Sequence, residues 1–351
     1  MITAKKHDIA YLVSYSLEKA NLLDMQSEFG QKCEKEQFVA AYRYENNNYE
    51  LEQISRLFEE EKIFFVPLKG AVLKRYYPEE WMRIGTDLDV LVREDICEKA
   101  KDILVEKLNY KFESKENHDY QLVSPGGVSV ELHFTLLGTD SINKEADKIL
   151  ENVWEYTVPA KDCKYHMEFT DDMFYYYHFI HLAKHIKYGG CGIKPFLDLY
   201  ILKKSVEYGP EKQALIDKGN LTKLDKVVCR LADCYFLGEE YDEQTLRLSA
   251  YVTSGKNQGR FENRMAFQAE GKKSKAGLLV SKVFSPYEIL KFRYPELEQK
   301  KWLFIPYQFR RWYDLFFGAK SEKTLNELKA NKSINSDKID EVSKMRQDLG
   351  L

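Results

Sequence analysis

The sequence predicts an α+β fold, a mixed-sheet core with N-terminal helices and a C-terminal helical region. Three observations predict it. Residues 61–138 alternate strand-like and helix-like patterns around a glycine turn. A 3.6-residue apolar period precedes that block, and a second helical stretch follows it.

The elements follow in chain order. Ile9, Leu12, Val13 and Leu17 share one helical stripe, as do Leu51, Ile54 and Leu57, so residues 1–60 read as helices. Ile63–Leu68 is a short buried strand, and Gly70–Tyr77 a short helix closed by Pro78. Asp87–Val92 alternates polar and apolar residues before turning apolar, the mark of a strand. Asp95 reads as the cap of an amphipathic helix over Ile96–Leu108. Tyr110–Glu113 and Asp119–Val123 are strands, Pro125-Gly126-Gly127 is a tight turn, and Val128–Phe134 returns from it. From about 140 the pattern is helical, apart from a strand near Trp154–Pro159. Asp171 or Asp172 caps a helix running to Tyr188, Gly189-Gly190-Cys191-Gly192 breaks it, and Pro195 opens the next. Gly255–Gly259 opens a polar loop, and Lys320–Leu351 is a charged tail. The expected organisation is an N-terminal helical segment (1–60), a catalytic core (61–138), a mainly helical region (139–318) and a tail (319–351).

Composition narrows the function. Charged residues make up 31% and hydrophobic ones 44%, with a net charge of −3, so no global basic field signals nucleic-acid binding. No apolar run approaches the ~20 residues that span a bilayer, and Met1–Lys6 is followed by no signal-peptide core. The six cysteines are scattered without a Cys-x-x-Cys pair, which fits a reduced, cytoplasmic protein. Aromatics, at 14%, point to an aromatic-rich core or cleft. There is neither a Gly-x-x-x-x-Gly-Lys-Ser/Thr loop nor a Gly-x-Ser-x-Gly elbow, so phosphate-loop ATPase and α/β-hydrolase readings have no support.

The chemistry concentrates in three acids. Side chains at i and i+2 of a strand point the same way, so Asp87 and Asp89 share a face, and the hairpin can bring Glu131 beside them. Convergent carboxylates repel and raise one another's pKa, and a divalent cation relieves that; Mg²⁺ favours such hard oxygens together with substrate phosphate. Two such ions can clamp the attacking and leaving oxygens of a phosphoryl transfer. The plainer alternative is the solvent face of an antiparallel sheet. The segment upstream tips the balance. Lys69 and Gly70 stand between a strand and a helix start, where N–H groups favour phosphate, and Arg83 can fork onto phosphate oxygens.

This order resembles the DNA polymerase β-type nucleotidyltransferase superfamily: a glycine motif opening a helix, an acid-x-acid strand, then a third acid. More closely, it resembles an uncharacterised bacterial family of stand-alone nucleotidyltransferases. The matching text is Leu68-Lys69-Gly70, Tyr77-Pro78, Arg83, Asp87–Val92, Val130-Glu131-Leu132-His133 and His181-Leu182-Ala183-Lys184-His185, then Gly192–Asp198 and Leu303–Tyr307. It spans roughly 60–315. The resemblance implies metal ligands at Asp87 and Asp89 with Glu131 as the third acid, Mg²⁺ as the ion, and a nucleoside triphosphate as substrate. It leaves the acceptor open. It departs at Lys69-Gly70-Ala71, where the superfamily usually has Gly-Gly or Gly-Ser, and at Lys194, where Arg is more frequent. Rivals are a non-catalytic nucleotide-binding or scaffold module on the same fold, and a zinc hydrolase built on histidines.

His178, His181 and His185 fall on one helical stripe with Lys184 on its shoulder. The stripe reads as lining of the active-site cleft, or as core histidines; a zinc-protease glutamate after the first His is missing. His133 shares the strand face of Glu131 and is a candidate general base, provided that its pKa sits near neutrality. Asp198 reads as a structural partner of Lys184, Lys194 or a His. The aromatic run Trp302–Phe317, with Arg310 and Arg311, reads as a helical packing face rather than a membrane or nucleic-acid surface.

Overall fold

The computed structural model describes residues 1–138, 140–254, 287, 290, 294–317 and 336–351. Gly255–Gly259 and Lys320–Asn335 lie outside them. A mixed sheet of five strands carries the core, with the α+β layout read from the sequence. The strands are β1 (Phe65–Pro67), β2 (Asp87–Val92), β3 (Lys111–Lys115), β4 (Asp119–Val123) and β5 (Ser129–His133), in spatial order β1-β2-β5-β4-β3. β2 and β5 run parallel, and every other pair is antiparallel. The β4–β5 hairpin turns at Gly127, whose φ of +81° requires a residue without a Cβ penalty.

The faces of the sheet differ. Leu88, Val90 and Val92 of β2, Val130 and Leu132 of β5, and Tyr120 and Leu122 of β4 pack with Ile54, Leu57, Phe58, Ala100, Ile103 and Leu104. The latter belong to α3 (Glu28–Glu60) and α5 (Glu94–Leu108). α3 follows α1 (Ile2–Lys6) and α2 (Ala10–Lys19), and Ser27 caps it by accepting from Gly30 N–H at 3.0 Å. The cap of α5 is Arg93 rather than Asp95, which stands in the first turn, where a carboxylate favours the helix dipole.

The helix after β1 is shorter than read. α4 covers Gly70–Leu73, and a 3₁₀ turn continues over Lys74–Tyr76. Beyond the sheet come α6 (Lys144–Glu151), a β6 (Thr157–Pro159)–β7 (Met167–Phe169) ribbon, and α7 (Asp171–Tyr188). Thr170, not an aspartate, caps α7 with its side chain on Met173 N–H. α7 buries Phe174, Tyr175, Tyr176, Tyr177 and Phe179, much of the aromatic content predicted for the core. Gly189, at φ +155°, ends it.

Then follow α8 (Lys194–Ser205), α9 (Pro210–Lys218), α10 (Thr222–Leu237), α11 (Glu243–Thr253), α12 (Phe304–Phe317) and α13 (Ser336–Leu349). α13 lies in the charged tail, yet it sends Val342, Met345 and Leu349 into the α7–α11 core. The α12 region differs from the packing face expected there: Trp302, Ile305, Phe309 and Tyr313 are exposed. The side chains of Phe316 and Phe317 lie outside the described residues. No described helix is long and apolar enough to cross a membrane.

Candidate active site

Strand parity builds the site. Leu88, Val90 and Val92 of β2 face α3 and α5, so Asp87, Asp89 and Leu91 face the other way. The parallel register sets Asp89 opposite Glu131 and Leu91 opposite His133. On the far side of β5, β4 sets Gln121 opposite Glu131 and Asp119 opposite His133. Asp87, Asp89, Glu131, His133, Asp119 and Gln121 therefore share one face of three adjacent strands. Asp89 is 2% exposed, which removes the solvent-face reading of the Asp-x-Asp pair.

Asp89 is the electrostatic centre. Its Oδ1 accepts from Lys69 Nζ at 2.6 Å and lies 2.9 Å from His133 Nε2. Burial alone would raise the Asp89 carboxyl, but the Lys69 ammonium and the His133 ring hold it well below the usual carboxylate range. Burial would likewise lower Lys69, and Asp89 reverses that. For His133, burial is outweighed by hydrogen bonds to Asp89 and Glu131, and its pKa is pushed up to about 9. A ring charged at neutral pH donates protons rather than accepting them, which counts against the general-base reading. Asp87 makes no ion pair of this kind, and the Lys69 charge offsets its burden only in part. Burial and then the neighbouring Asp89 charge raise its carboxyl.

Lys69 reaches Asp89 from an unusual backbone. Its φ of 45° and ψ of −119° lie in a region that suits glycine and costs a side-chain-bearing residue about 1–3 kcal/mol. Gly70 follows because the next loop crosses it. A Cβ there would meet Arg83 Nη1 at 3.3 Å and Gly85 Cα at 3.5 Å. The strand–glycine–helix join is thus covered by the 83–85 segment.

A cavity of about 510 Å³ opens on the polar face. Lys69, Glu131, His133 and His118 line its sheet side, and Tyr177, His181, Lys184 and His185 of α7 line the other. The histidine stripe therefore divides. His181 and His185 look into the cavity, with Lys184, whose Nζ also donates to the Leu136 carbonyl at 3.2 Å. His178 sits behind it, buried 3.7 Å from Asp198. Burial lowers the pKa of His178, His181 and Lys184.

Arg83 is committed elsewhere. Its Nε and Nη2 fork onto Asp198 at 2.7 and 3.0 Å, and Tyr77 Oη donates to the same carboxylate at 2.7 Å. Asp198, on α8, is a structural partner as read, but of Arg83. Lys194 donates to Asp8 Oδ2 at 2.7 Å and to the Ile84 carbonyl at 2.8 Å. These contacts tie α8 and the N-terminal helices to the loop before β2. They gather Arg83, His178, Lys194 and Asp198 in a buried clamp outside the lining of the cavity.

The sequence reading passed over His118, Asp119, Gln121 and Tyr177. A signal existed for two of them. Asp119 and Gln121 alternate with Tyr120 and Leu122 just as Asp87 and Asp89 alternate with Leu88 and Val90.

The profile of a family described as uncharacterised nucleotidyltransferase matches residues 1–236. The chain belongs to that family. Residues 1–236 of this nucleotidyltransferase family member span the N-terminal helices, the sheet with its acids, and the helices through most of α10. The match begins at residue 1 rather than near 60, in keeping with the Lys194–Asp8 pair and the packing of α3 on the sheet. No curated protein matches the chain.

Proposed function

We propose that this protein moves a nucleotidyl group from a nucleoside triphosphate to an acceptor hydroxyl or other nucleophile, with Mg²⁺ as cofactor. One observation carries the reading: Asp89 and Glu131 face each other on adjacent parallel strands, with Asp87 two residues upstream on the same face. Asp89 and Glu131 fit the ion: they supply hard oxygen donors that come within 4.8 Å of each other and of a His133 nitrogen, while Asp87, outside that group, carries a carboxyl raised by burial and by Asp89 and only partly relieved by Lys69. Asp87, Asp89 and Glu131 would hold Mg²⁺, which supplies charge neutralisation of the triphosphate and activation of the acceptor.

The remaining work falls to side chains. Lys69 stands at both Asp89 and the cavity, so its ammonium can turn from carboxylate to phosphate without leaving the site. His133, charged at neutral pH, keeps Asp89 ionised and oriented. Gln121 donates to Glu131 Oε1 at 3.3 Å and sets that carboxylate. Lys184, His181 and His185 form the wall against which the acceptor or the triphosphate tail rests. Arg83 holds the loop before Asp87 in place through Asp198 and would act on phosphate only indirectly.

The test incubates the protein with α-labelled NTPs, Mg²⁺ and a cell extract as acceptor source, beside Asp87→Asn. Label transferred by the wild type and lost in the variant is the expected result. Equal transfer by both defeats the assignment of Asp87. A second reading, a non-catalytic nucleotide-binding module, is favoured by the pairing of Asp89 with Lys69 and His133, which already balance its charge. It predicts Mg·NTP binding with no transfer by the wild type across all four NTPs.

A further inference from the structure

His118 and Asp119 take no part in the acid site. His118 immediately precedes β4, and its carbonyl accepts from Phe134 N–H at 3.0 Å, which pins it beside the end of β5. Asp119 is 1% exposed. Its Oδ1 accepts from Gln121 Nε2 at 3.1 Å, and its Oδ2 lies 3.2 Å from His118 Nε2 and 4.0 Å from His133 Nδ1. The His118 and His133 rings stack with centroids 5.5 Å apart.

His133 supplies the observation that points to a ligand. Its Nε2 lies against Asp89, but its Nδ1 is buried with no hydrogen-bond partner and faces Asp119. A buried polar atom without a partner costs about 1–3 kcal/mol. One ligand atom from each of His118, Asp119 and His133 lies within 4.8 Å of the others, and both histidines line the cavity, which leaves an open side.

We propose that His118, Asp119 and His133 form a zinc site that adjoins the acid site through the His133 ring. Two imidazole nitrogens and one carboxylate oxygen suit a first-row transition dication, whereas Mg²⁺ prefers oxygen. Zinc bonds of about 2.0–2.2 Å set tetrahedral ligand–ligand edges near ~3.4 Å. The 3.2 Å edge fits already, and the 4.0 Å edge closes with a small ring shift. The outer partners are in place: Gln121 fixes the spare Asp119 oxygen, and Asp89 accepts from the far nitrogen of His133. Binding releases the proton that the charged ring carries on Nδ1 and gives that nitrogen a direct partner in place of Asp119 at 4.0 Å. The ion would lock the His133 ring and, through it, Asp89. Among the described residues no cysteine joins a cluster of three such ligands.

The test is equilibrium dialysis of the chelator-stripped, full-length protein against Zn²⁺ in excess Mg²⁺, read by elemental analysis and by melting temperature. The expected result is about one zinc per chain and a raised melting temperature. His118→Ala, at a side chain 39% exposed and so safe for folding, removes a direct ligand and weakens zinc by more than the ~10-fold that loss of an outer partner costs. Asp119→Asn does the same. Asp87→Asn and the pair His181→Ala/His185→Ala keep the zinc. No stoichiometric zinc in the wild type, or uptake untouched by His118→Ala, overturns the proposal. Loss of zinc in the His181/His185 pair with retention in His118→Ala moves the ion to α7 and equally overturns it. Failure of nucleotidyl transfer leaves this readout unaffected, so the two readings stand or fall separately.

Discussion

Asp87 and Asp89 are two residues apart in one acidic pair, yet their loss should move stability in opposite directions. Taken from the sequence, either acid sits in a crowd of like charges, and removing one relieves repulsion. In the structure that holds for Asp87 alone, whose carboxyl is raised by burial and by Asp89. Asp89 instead balances Lys69 at 2.6 Å and His133 at 2.9 Å. Asp89→Asn keeps the shape and leaves two cations without their counter-charge. Breaking a fully buried pair costs about 3–5 kcal/mol, and Lys69, 20% exposed, recovers part of that from water. The expected loss is about 2–4 kcal/mol, against a change between zero and ~1 kcal/mol of gain for Asp87→Asn. Urea unfolding of the chelator-treated protein, followed by circular dichroism at neutral pH, measures both. The reasoning is refuted if Asp89→Asn lies within about 1 kcal/mol of wild type, or if Asp87→Asn is the more damaging change.

Asp198→Asn breaks the Arg83 fork, leaves a guanidinium buried, and should cost about 3–5 kcal/mol in the same unfolding assay. Lys194 gives a pH signature. Its pKa falls from an ordinary 10.5 to about 8, chiefly through burial and then Arg83, so between those values the unfolded chain holds more protons than the folded one. Stability contributed at this site therefore rises with pH across that window, by up to ~3 kcal/mol, and the wild-type minus Lys194→Met difference should show that slope. Gly85→Ala would put a Cβ 2.7 Å from the Asp87 carbonyl oxygen. It should cost about 1–3 kcal/mol and, by shifting the start of β2, reduce Mg·NTP binding measured by calorimetry. A wild-type-like melting curve and affinity would show that the loop gives way freely.

What could be read from the sequence was local. A strand's two-residue period put Asp87 and Asp89 on one face, and the Pro125-Gly126-Gly127 turn announced the hairpin that carries Glu131. The glycine run after Tyr188 and Pro195 bounded α7 and α8. Such signals work because backbone geometry repeats over a few residues and because glycine and proline act on their own φ. Cap identity was less legible, since several neighbours could supply the accepting oxygen and only Thr170 had the right backbone.

Partner choice belonged to the tertiary structure. No local pattern says that β5 inserts beside β2 with Asp89 opposite Glu131, because register depends on how both strands bury their apolar faces on α3 and α5. Nor does it say that Arg83 meets an aspartate 115 positions away or that Lys69 turns inward to Asp89. A charged side chain brought into the interior takes whichever opposite charge packing leaves within reach, since leaving it unpaired there costs several kcal/mol. The same force split the histidine stripe of α7. One face of that helix met the cavity and the other met α8, so His181 and His185 line the open space while His178 lies buried against Asp198.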